Sequence, residues 1–328
     1  MKAIGGFFEL ELPGCRANCY HPAATALSTG RACLTLILQT EQPRRIYVPY
    51  YTCDSLLVPM QEKNIEYVFY SINAQLEIQA LPTLQSDELL IYINFFGIKH
   101  AYSHQLRAIL GRQLIIDNTH AFFSIEDPGQ GWAYNSARKF FGVPDGAYLY
   151  GLSSAVSMEA NDTICVNHLV DRLIGKQESA YAEFIEYENN IDNSITGISV
   201  LSEKLLLQVD YCACIQQRLH NFAQYHKAFA QINELSVRLD GLQETPSFCY
   251  PLLLPNGLNR ERLFDQNIFI PWLWREALNR SSEGYEIEKY FASNILPLPV
   301  DHRYSQVEIA IVIKAISDLI LPTKSFVL

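Results

Sequence analysis

Short apolar segments alternate with helix-forming segments between Thr25 and Leu152, and this alternation constrains the fold more than any other feature of the chain. Strands that alternate with helices are joined by crossover connections. Such connections place the strands in a mostly parallel sheet that helices cover on both faces. We therefore predict an α/β chain whose large domain has three layers, α/β/α.

The individual elements follow from the same pattern. The predicted strands of the large domain are Arg45–Val48, Glu66–Tyr70, Leu89–Asn94, Gln113–Asp117, Ala133–Ser136 and Ala147–Leu152. The predicted helices are Thr29–Leu38, Asp54–Lys63, His100–Leu110 and a polar helical stretch over Asp171–Asn190. Apolar residues at helical spacing then predict one long helix, or two joined helices, over Ser199–Ala230.

This linking helix separates two predicted domains. The large domain covers residues 1–230, of which residues 1–24 are rich in turn formers and are predicted to form an arm. A smaller C-terminal α/β domain covers residues 231–328, with a strand over Ser247–Leu254 and a helix over Ser305–Leu319.

Composition excludes several classes of protein. The chain has 328 residues, of which 49% are hydrophobic, and a net charge of −10, which argues against nucleic acid or a membrane as the main partner. Its eight cysteines are scattered and fit no familiar zinc spacing, so we expect free thiols and no metal site. The sequence shows no signal peptide and no apolar run of about 18 residues, so a cytoplasmic enzyme is expected.

Lys139 comes three residues after Ser136 and just before a turn, Pro144-Asp145-Gly146, that leads into an apolar strand. A lysine amine that is held in a rigid, mostly apolar setting can stay neutral, and a neutral lysine can form a Schiff base. Taken alone, a lysine beside aromatic residues is more often a surface residue with a partly covered stem. The reactive interpretation therefore depends on the other residues that the chain supplies.

Asp117 is one of those residues, because it ends the apolar strand that begins at Gln113. Ligands of parallel sheets bind at the carboxyl ends of the strands. A carboxylate there can hold the pyridinium nitrogen of pyridoxal phosphate in its protonated state, while a Schiff-base lysine binds the cofactor carbonyl. The plainer alternative is a carboxylate that caps the following segment.

The start of the first predicted helix suits a phosphate group. Thr29, Gly30, Arg31 and Ala32 open this helix, and backbone N–H groups at a helix start bind anions when a glycine permits close approach. The hydroxyl of Ser136 can bind the same phosphate. An ordinary helix cap is the alternative, and from sequence alone it is the commoner explanation.

These segments together resemble the fold-type I pyridoxal phosphate enzymes and, among them, the DegT/DnrJ/EryC1/StrS sugar aminotransferases. The resemblance runs over most of the chain and rests on the order and spacing of its motifs. The segments that carry it are Ser28–Leu34, Val48–Cys53, Asn94–Gly97, Asp117–His120, Tyr134–Tyr148 and Ile295–Val300.

The resemblance implies a role for each candidate residue. It makes Lys139 the Schiff-base lysine, which also moves a proton between the substrate α-carbon and the cofactor C4′ carbon. Relatives that dehydrate sugars carry histidine at this position, so the lysine favours transamination. The cofactor-binding residues would be Gly30, Arg31, Ala32 and Ser136 for the phosphate, Asp117 and His120 for the ring nitrogen and ring oxygen, and Tyr51 and Cys53 for one face of the ring. Many relatives have an aromatic residue in place of Cys53, and Tyr50 or Tyr51 is a possible substitute.

The resemblance also implies partners. The expected reaction transfers an amino group from an amino acid such as glutamate to a keto group on a nucleotide-linked sugar. A homodimer with shared sites is expected, in which Asn193, within the polar stretch Glu188–Ser194, reaches the phosphate in the neighbouring subunit. An ordinary solvated loop is the alternative for this stretch. Two other functions stay open: a different pyridoxal phosphate reaction on an amino acid, and a scaffold that binds a metabolite without turnover.

Overall fold

A computed structural model describes residues 10, 12, 18–153, 156–191, 193–235, 245–255, 257–281 and 283–320 of the chain. The strands are β1 (Thr25–Leu27), β2 (Arg45–Pro49), β3 (Glu66–Tyr70), β4 (Glu88–Ile93), β5 (Leu114–Asn118), β6 (Trp132–Asn135), β7 (Ala147–Tyr150), β8 (Cys249–Leu253) and β9 (Ile295–Pro299). The α-helices are α1 (Gly30–Glu41), α2 (Val58–Glu62), α3 (His100–Leu110), α4 (Asn167–Leu173), α5 (Gln177–Asn190), α6 (Val200–Leu206), α7 (Tyr211–Phe229), α8 (Glu261–Phe264), α9 (Glu286–Asn294) and α10 (Gln306–Ile320).

The central sheet has seven strands in the order β1-β7-β6-β5-β4-β2-β3. Neighbouring strands from β3 to β6 are parallel, whereas β7 and β1 are antiparallel at one edge. β4 and β5 lie inside the sheet with every residue buried, as expected for parallel strands that are covered on both faces. The predicted α/β class with a mostly parallel sheet is confirmed.

One predicted helix is divided in the structure, and the stretch predicted as one helix or two forms two. The segment Asp54–Lys63 forms a 3₁₀ turn followed by α2, because Pro59 fits the first turn of a helix but not its interior. The Ser199–Ala230 stretch forms two helices, α6 and α7. A new helix begins after Asp210, whose side chain caps α7 by accepting a hydrogen bond from the Ala213 N–H at 2.9 Å.

The polar stretch before α6 also contains two helices rather than one. α4 and α5 are separated at Gly175, whose φ of +86° is a conformation that glycine adopts at no steric cost. α4 and α5 pack against each other as a helical hairpin. The end of α5 returns to the Lys139 segment, as described below.

The strand ends are held in place by buried polar contacts. The Asn94 side chain donates to the Asn118 amide oxygen at 3.0 Å and accepts from the Lys99 N–H at 2.8 Å. Gly97 then turns with a φ of +75°, and a Cβ atom at this position would lie 2.2 Å from the His120 carbonyl oxygen. Only a glycine therefore permits this close approach of the loop after β4 to the loop after β5.

A second, two-stranded antiparallel sheet is formed by β8 and β9 in the C-terminal part of the chain. The division of the chain at residue 230 stays a prediction. Most of the predicted N-terminal arm, residues 1–24, lies outside the described residues. None of the described helices is long and apolar enough to cross a membrane.

Candidate active site

A cavity opens where the carboxyl ends of β5 and β6 meet the start of α1, and we call it the sheet-end cavity. Among the residues that line it are six of the predicted site residues, namely Gly30, Arg31, Cys53, Asp117, Ser136 and Lys139. These residues are far apart in the sequence, and the sheet topology brings them to one place. The described part of the chain contains no cluster of side chains suited to a metal ion.

Asp117 is fixed in this cavity by two hydrogen bonds. One carboxylate oxygen accepts from the backbone N–H of Thr119 at 2.8 Å, and the other accepts from the phenol of Tyr134 at 3.0 Å. Asp117 and Tyr134 are register partners on the parallel strands β5 and β6, so their side chains lie on the same face of the sheet. Burial raises the pKa of Tyr134, and the charge of Asp117 raises it further. The phenol therefore stays protonated and can orient the carboxylate.

Lys139 ends a 3₁₀ helix, Ala137–Lys139, and its amine donates to the Thr119 hydroxyl at 3.2 Å. Its side chain is exposed, which differs from the mostly apolar setting expected from the sequence. The short helix turns Lys139 away from the core, whereas the next two residues, Phe140 and Phe141, are buried in it. The amine is therefore accessible to a ligand.

The start of α1 forms one wall of the cavity. Thr29 is its N-cap and accepts a hydrogen bond from the Ala32 N–H at 3.0 Å, so this N–H is already used. A Cβ atom on Gly30 would lie 3.4 Å from the Thr119 methyl group and 3.5 Å from the Tyr134 ring. These are ordinary contact distances, so the space at the helix start does not by itself require a glycine. The Arg31 guanidinium donates to the Ile191 carbonyl at 3.0 Å, which directs it towards the segment after α5.

The pair formed by Arg138 and Glu188 closes one side of the cavity. Glu188 lies near the end of α5, and its carboxylate accepts a hydrogen bond from the Arg138 guanidinium. The same guanidinium lies over the ring of Tyr187, 5.0 Å from its centre, and the Tyr187 hydroxyl donates to the Pro144 carbonyl at 2.6 Å. The helical hairpin is thereby attached to the segment that carries Lys139.

Four predicted site residues are not among those that line the cavity. Ala32 and Tyr51 are buried in the core. His120 is stacked between Phe248 and Trp274, with ring centres 4.2 and 5.0 Å away. Burial, and secondarily the nearby Lys139, hold the pKa of His120 well below its usual value, so the imidazole is neutral.

Asn193 is the fourth of these residues. Its amide donates to the Glu62 carboxylate of the same chain at 2.7 Å. The roles predicted for these four residues, and for the six that line the cavity, stay predictions.

The sequence predicted no role for Tyr134. Among the described residues, Tyr134 is the only aromatic residue that lines the cavity. The available signal was its place at the end of an apolar strand, next to the strand of Asp117. The two candidates for stacking on a ring, Tyr50 and Tyr51, do not line the cavity. Tyr50 instead stacks on Tyr285, with ring centres 3.9 Å apart, and Tyr51 stacks on Phe95.

A second cavity lies beyond Lys139, and we call it the basic cavity. Arg138 and Lys139 line both cavities, so the two cavities meet at these side chains. The charged residues that line the basic cavity among the described residues are Arg138, Lys139, Arg172, Arg218, Arg303 and a single carboxylate, Asp301. A chain with a net charge of −10 thus has a locally cationic cavity.

No known family profile and no curated protein matches the chain. Solved structures do match. The chain is similar to the sugar aminotransferase CalS13 from Micromonospora echinospora, with 14% identity and a TM-score of 0.62 over 90% of this chain and 87% of CalS13. It is also similar to Spr1654 from Streptococcus pneumoniae in its PMP-form, with 16% identity and a TM-score of 0.61 over 91% of this chain and 88% of Spr1654.

A third similar structure is a DegT DnrJ EryC1 StrS aminotransferase from Brucella abortus. Its identity to this chain is 17% and its TM-score 0.56, over 90% of this chain and 85% of the Brucella protein. The chain therefore has the fold of these aminotransferases, and the fold-type I architecture expected from the sequence resemblance is confirmed. The likeness extends over nearly the whole of both chains in each comparison.

Proposed function

We propose that this protein is a pyridoxal phosphate-dependent aminotransferase that acts on a keto sugar. The observation that carries the proposal is the convergence of Lys139, Asp117 and the start of α1 on one cavity at the carboxyl ends of the sheet. Lysine and a fixed carboxylate are the pair that this cofactor requires. The similar structures support the proposal, since CalS13 is a sugar aminotransferase and Spr1654 was also solved in a PLP-form.

The side chains of the sheet-end cavity fit the cofactor. Asp117 would hold the ring nitrogen, and its two existing hydrogen bonds would keep the carboxylate oriented. The first turn of α1 and the Ser136 hydroxyl would bind the phosphate, because N–H groups at a helix start have no acceptor within the helix. When bound, pyridoxal phosphate supplies an electrophilic carbonyl carbon and a conjugated ring that accepts electrons.

Lys139 would have two functions in this cavity. Its amine would bind the cofactor covalently and would later move a proton to or from the α-carbon of the substrate. Thr119 is placed to orient the amine, since its hydroxyl lies 3.2 Å from Nζ. The exposed position of Lys139, where the two cavities meet, is consistent with access from the substrate side.

The expected donor is an amino acid such as glutamate, and the expected acceptor is a nucleotide-linked keto sugar. Both assignments come from the family resemblance. An anionic acceptor or donor agrees with the cationic lining of the basic cavity, because such a lining raises the local concentration of anions.

The protein is further proposed to act as a homodimer with shared active sites. A C2 dimer uses the same surface on both chains, so each dimer would contain two equivalent sites. Asn193 is the residue proposed to reach across, and release of its bond to Glu62 would free its amide. Sedimentation equilibrium is expected to give twice the chain mass, whereas a fully active monomer would exclude shared sites.

The absorption spectrum of the purified protein tests the proposed function. After addition of pyridoxal phosphate and gel filtration, the protein is expected to keep a visible absorption band. Addition of glutamate should replace this band with that of the pyridoxamine form. A protein that retains the cofactor but does not change its spectrum with any amino acid would instead be a metabolite-binding scaffold.

A further inference from the structure

Arg218 in α7 is the most unusual charged residue of the basic cavity. Its side chain is 1% exposed, and it lines the cavity next to the Lys139 segment. A charge is rarely buried unless a partner compensates for it. Among the described residues, however, no carboxylate lies within 4.0 Å of the Arg218 guanidinium.

The contacts of Arg218 satisfy its guanidinium only in part. Its two Nη atoms donate to the carbonyls of Ser247 and Phe140 at 3.3 and 3.4 Å, distances that are long for hydrogen bonds to a charged donor. Its Nε–H has no partner in the described part of the chain. The guanidinium also lies over the ring of Phe140, 4.5 Å from its centre. These contacts hold the side chain in place, but none of them is with a carboxylate.

The charge of Asp301 favours the Arg218 cation and so raises its pKa, but the two groups form no ion pair. Asp301 lines the same cavity, but its carboxylate is bound by Arg303 through Nε at 2.7 Å. Burial lowers the pKa of Arg218 to about 10, so the group is still a cation at neutral pH. Arg172, at the end of α4, is an exposed further cation of the same cavity.

The position of Arg218 relative to Lys139 indicates which anion it binds. Phe140, whose carbonyl accepts from Arg218, directly follows Lys139 in the chain. A substrate that reacts at Lys139 would therefore extend into the basic cavity with its remaining groups near Arg218. A planar guanidinium is suited to the two oxygens of a carboxylate or a phosphate.

We propose that Arg218, together with Arg172, binds an oxyanion of the substrate and so positions the substrate next to Lys139. The identification of this ligand as a substrate rests on the proposed aminotransferase function. Two sources can supply the same chemistry: the carboxylate of the amino donor and the phosphate of a nucleotide-linked acceptor. The experiment below has one arm for each source.

Isothermal titration of the cofactor-loaded protein with succinate and, separately, with uridine diphosphate measures the proposed site. Arg218→Lys keeps the positive charge but removes the planar guanidinium, which can donate two parallel hydrogen bonds. We expect this variant to weaken binding about tenfold or more, as for the loss of a hydrogen bond to a charged group. Arg172→Gln removes an exposed cation at the mouth of the cavity and should weaken binding roughly three- to tenfold. Arg112→Gln, which changes an exposed arginine outside both cavities, is the matched control and should bind as the wild type.

The arms distinguish the source of the oxyanion. Weakened binding of succinate alone assigns the cavity to the donor carboxylate, weakened binding of the diphosphate alone assigns it to the acceptor, and both results support a shared site. If neither probe binds the wild type, or if both variants bind like the control, the proposal is wrong. Should Arg218→Lys fail to fold, the exposed Arg172→Gln still decides the question.

The same titrations on cofactor-free protein separate this inference from the proposed function. Suppose that the protein takes up no pyridoxal phosphate but still binds the anion in a way that depends on Arg218 and Arg172. That result would contradict the aminotransferase function and support the anion site. If the protein takes up the cofactor normally but neither variant changes anion binding, the anion site is contradicted and the aminotransferase function stands.

Discussion

The sheet-end cavity and the basic cavity share Lys139 but differ in how their charged groups are compensated. In the sheet-end cavity, both oxygens of Asp117 have hydrogen-bond donors, and Arg138 is paired with Glu188. In the basic cavity, Arg218 is buried without a carboxylate partner. Strand ends and a helix start build most of the first region, whereas helices, loops and residues of β8 and β9 from distant parts of the chain build the second.

This difference indicates two kinds of binding site. Groups that are already paired and oriented suit a resident cofactor, because their geometry does not need to change when it binds. A buried cation that no carboxylate contacts suits a ligand that binds and dissociates, since the anionic group of the ligand can pair with it directly.

Replacement of Lys139 by alanine should abolish amino transfer, with a loss of at least about a thousandfold, because the covalent attachment and the proton transfer both depend on this amine. Steady-state rates with glutamate as donor measure the effect. Lys227→Ala, which removes an exposed lysine of α7, serves as the control and should keep normal rates. Normal rates in Lys139→Ala would remove the basis for placing the chemistry where the two cavities meet.

Replacement of Asp117 by asparagine should reduce amino transfer by about a hundredfold or more while part of the cofactor binding survives. The amide cannot hold the ring nitrogen protonated, so the ring accepts electrons less well. Single-turnover absorbance measurements follow this step directly. Near-normal rates would show that Asp117 has only a structural role.

Asp145→Asn is an informative comparison for Asp117→Asn. Asp145 is fully buried, and its carboxylate accepts from the Ser199 hydroxyl and N–H at 2.7 and 3.0 Å and from Asn161 at 3.1 Å. Its loss should lower the free energy of unfolding by about 1–3 kcal/mol without a direct effect on the chemical step. The two carboxylates thus separate catalysis from stability.

Acidification should destabilise the fold through the buried His21, which contacts β6 and β7. Burial lowers the pKa of His21 to about 3, and its ring contacts the Tyr150 hydroxyl at 2.7 Å and the Asn135 amide at 3.1 Å. Between pH 6.5 and about 3 the unfolded chain binds this proton and the folded chain does not, so stability falls as the pH falls. At pH 5 the loss from His21 alone is about 2 kcal/mol. Urea unfolding at pH 7 and pH 5 measures it.

The variant His21→Gln identifies the histidine responsible. Between pH 7 and pH 5 its free energy of unfolding should fall less than that of the wild type, because the unfolded variant has no histidine at position 21 to bind a proton. An unchanged pH dependence in this variant would show that His21 is not the group that titrates.

Replacement of Tyr134 by phenylalanine should slow amino transfer only several-fold. The variant loses the hydrogen bond to one oxygen of Asp117, but the Thr119 N–H still orients the other oxygen, and the ring is retained. Tyr134 is thus a positioning residue, and the absorbance of the bound cofactor as a function of pH is the readout that depends on the charge at Asp117. A loss as large as that of Asp117→Asn would assign Tyr134 a direct part in the chemistry.

The sequence predicted the sheet-end cavity better than the basic cavity, and the reason is physical. Apolar strands can be recognised from their composition and helices from their periodicity. The structure accordingly gives β3 and α3 the bounds predicted from the sequence. The rule that ligands bind at the carboxyl ends of strands then places Asp117. Tyr134 was missed because its role depends on its register with Asp117 across two strands.

The basic cavity was not predicted because nothing in the spacing of its arginines relates them. Arg172, Arg218 and Arg303 lie in α4, in α7 and after β9, and only the tertiary fold brings them to one cavity. The exposure of Lys139 was also missed, since it depends on a single 3₁₀ turn. The donor, the acceptor, the dimer, the reach of Asn193 and the cytoplasmic location stay predictions.

The bond between Lys139 and the cofactor is the central claim, and borohydride reduction followed by peptide mapping tests it most directly. Wild-type protein is loaded with pyridoxal phosphate, reduced, digested and analysed by mass spectrometry, with Asp117→Asn treated in parallel. A reduced cofactor on Lys139 in both proteins is the predicted result. An adduct on another lysine, or none on a protein that retains the cofactor, would contradict the account.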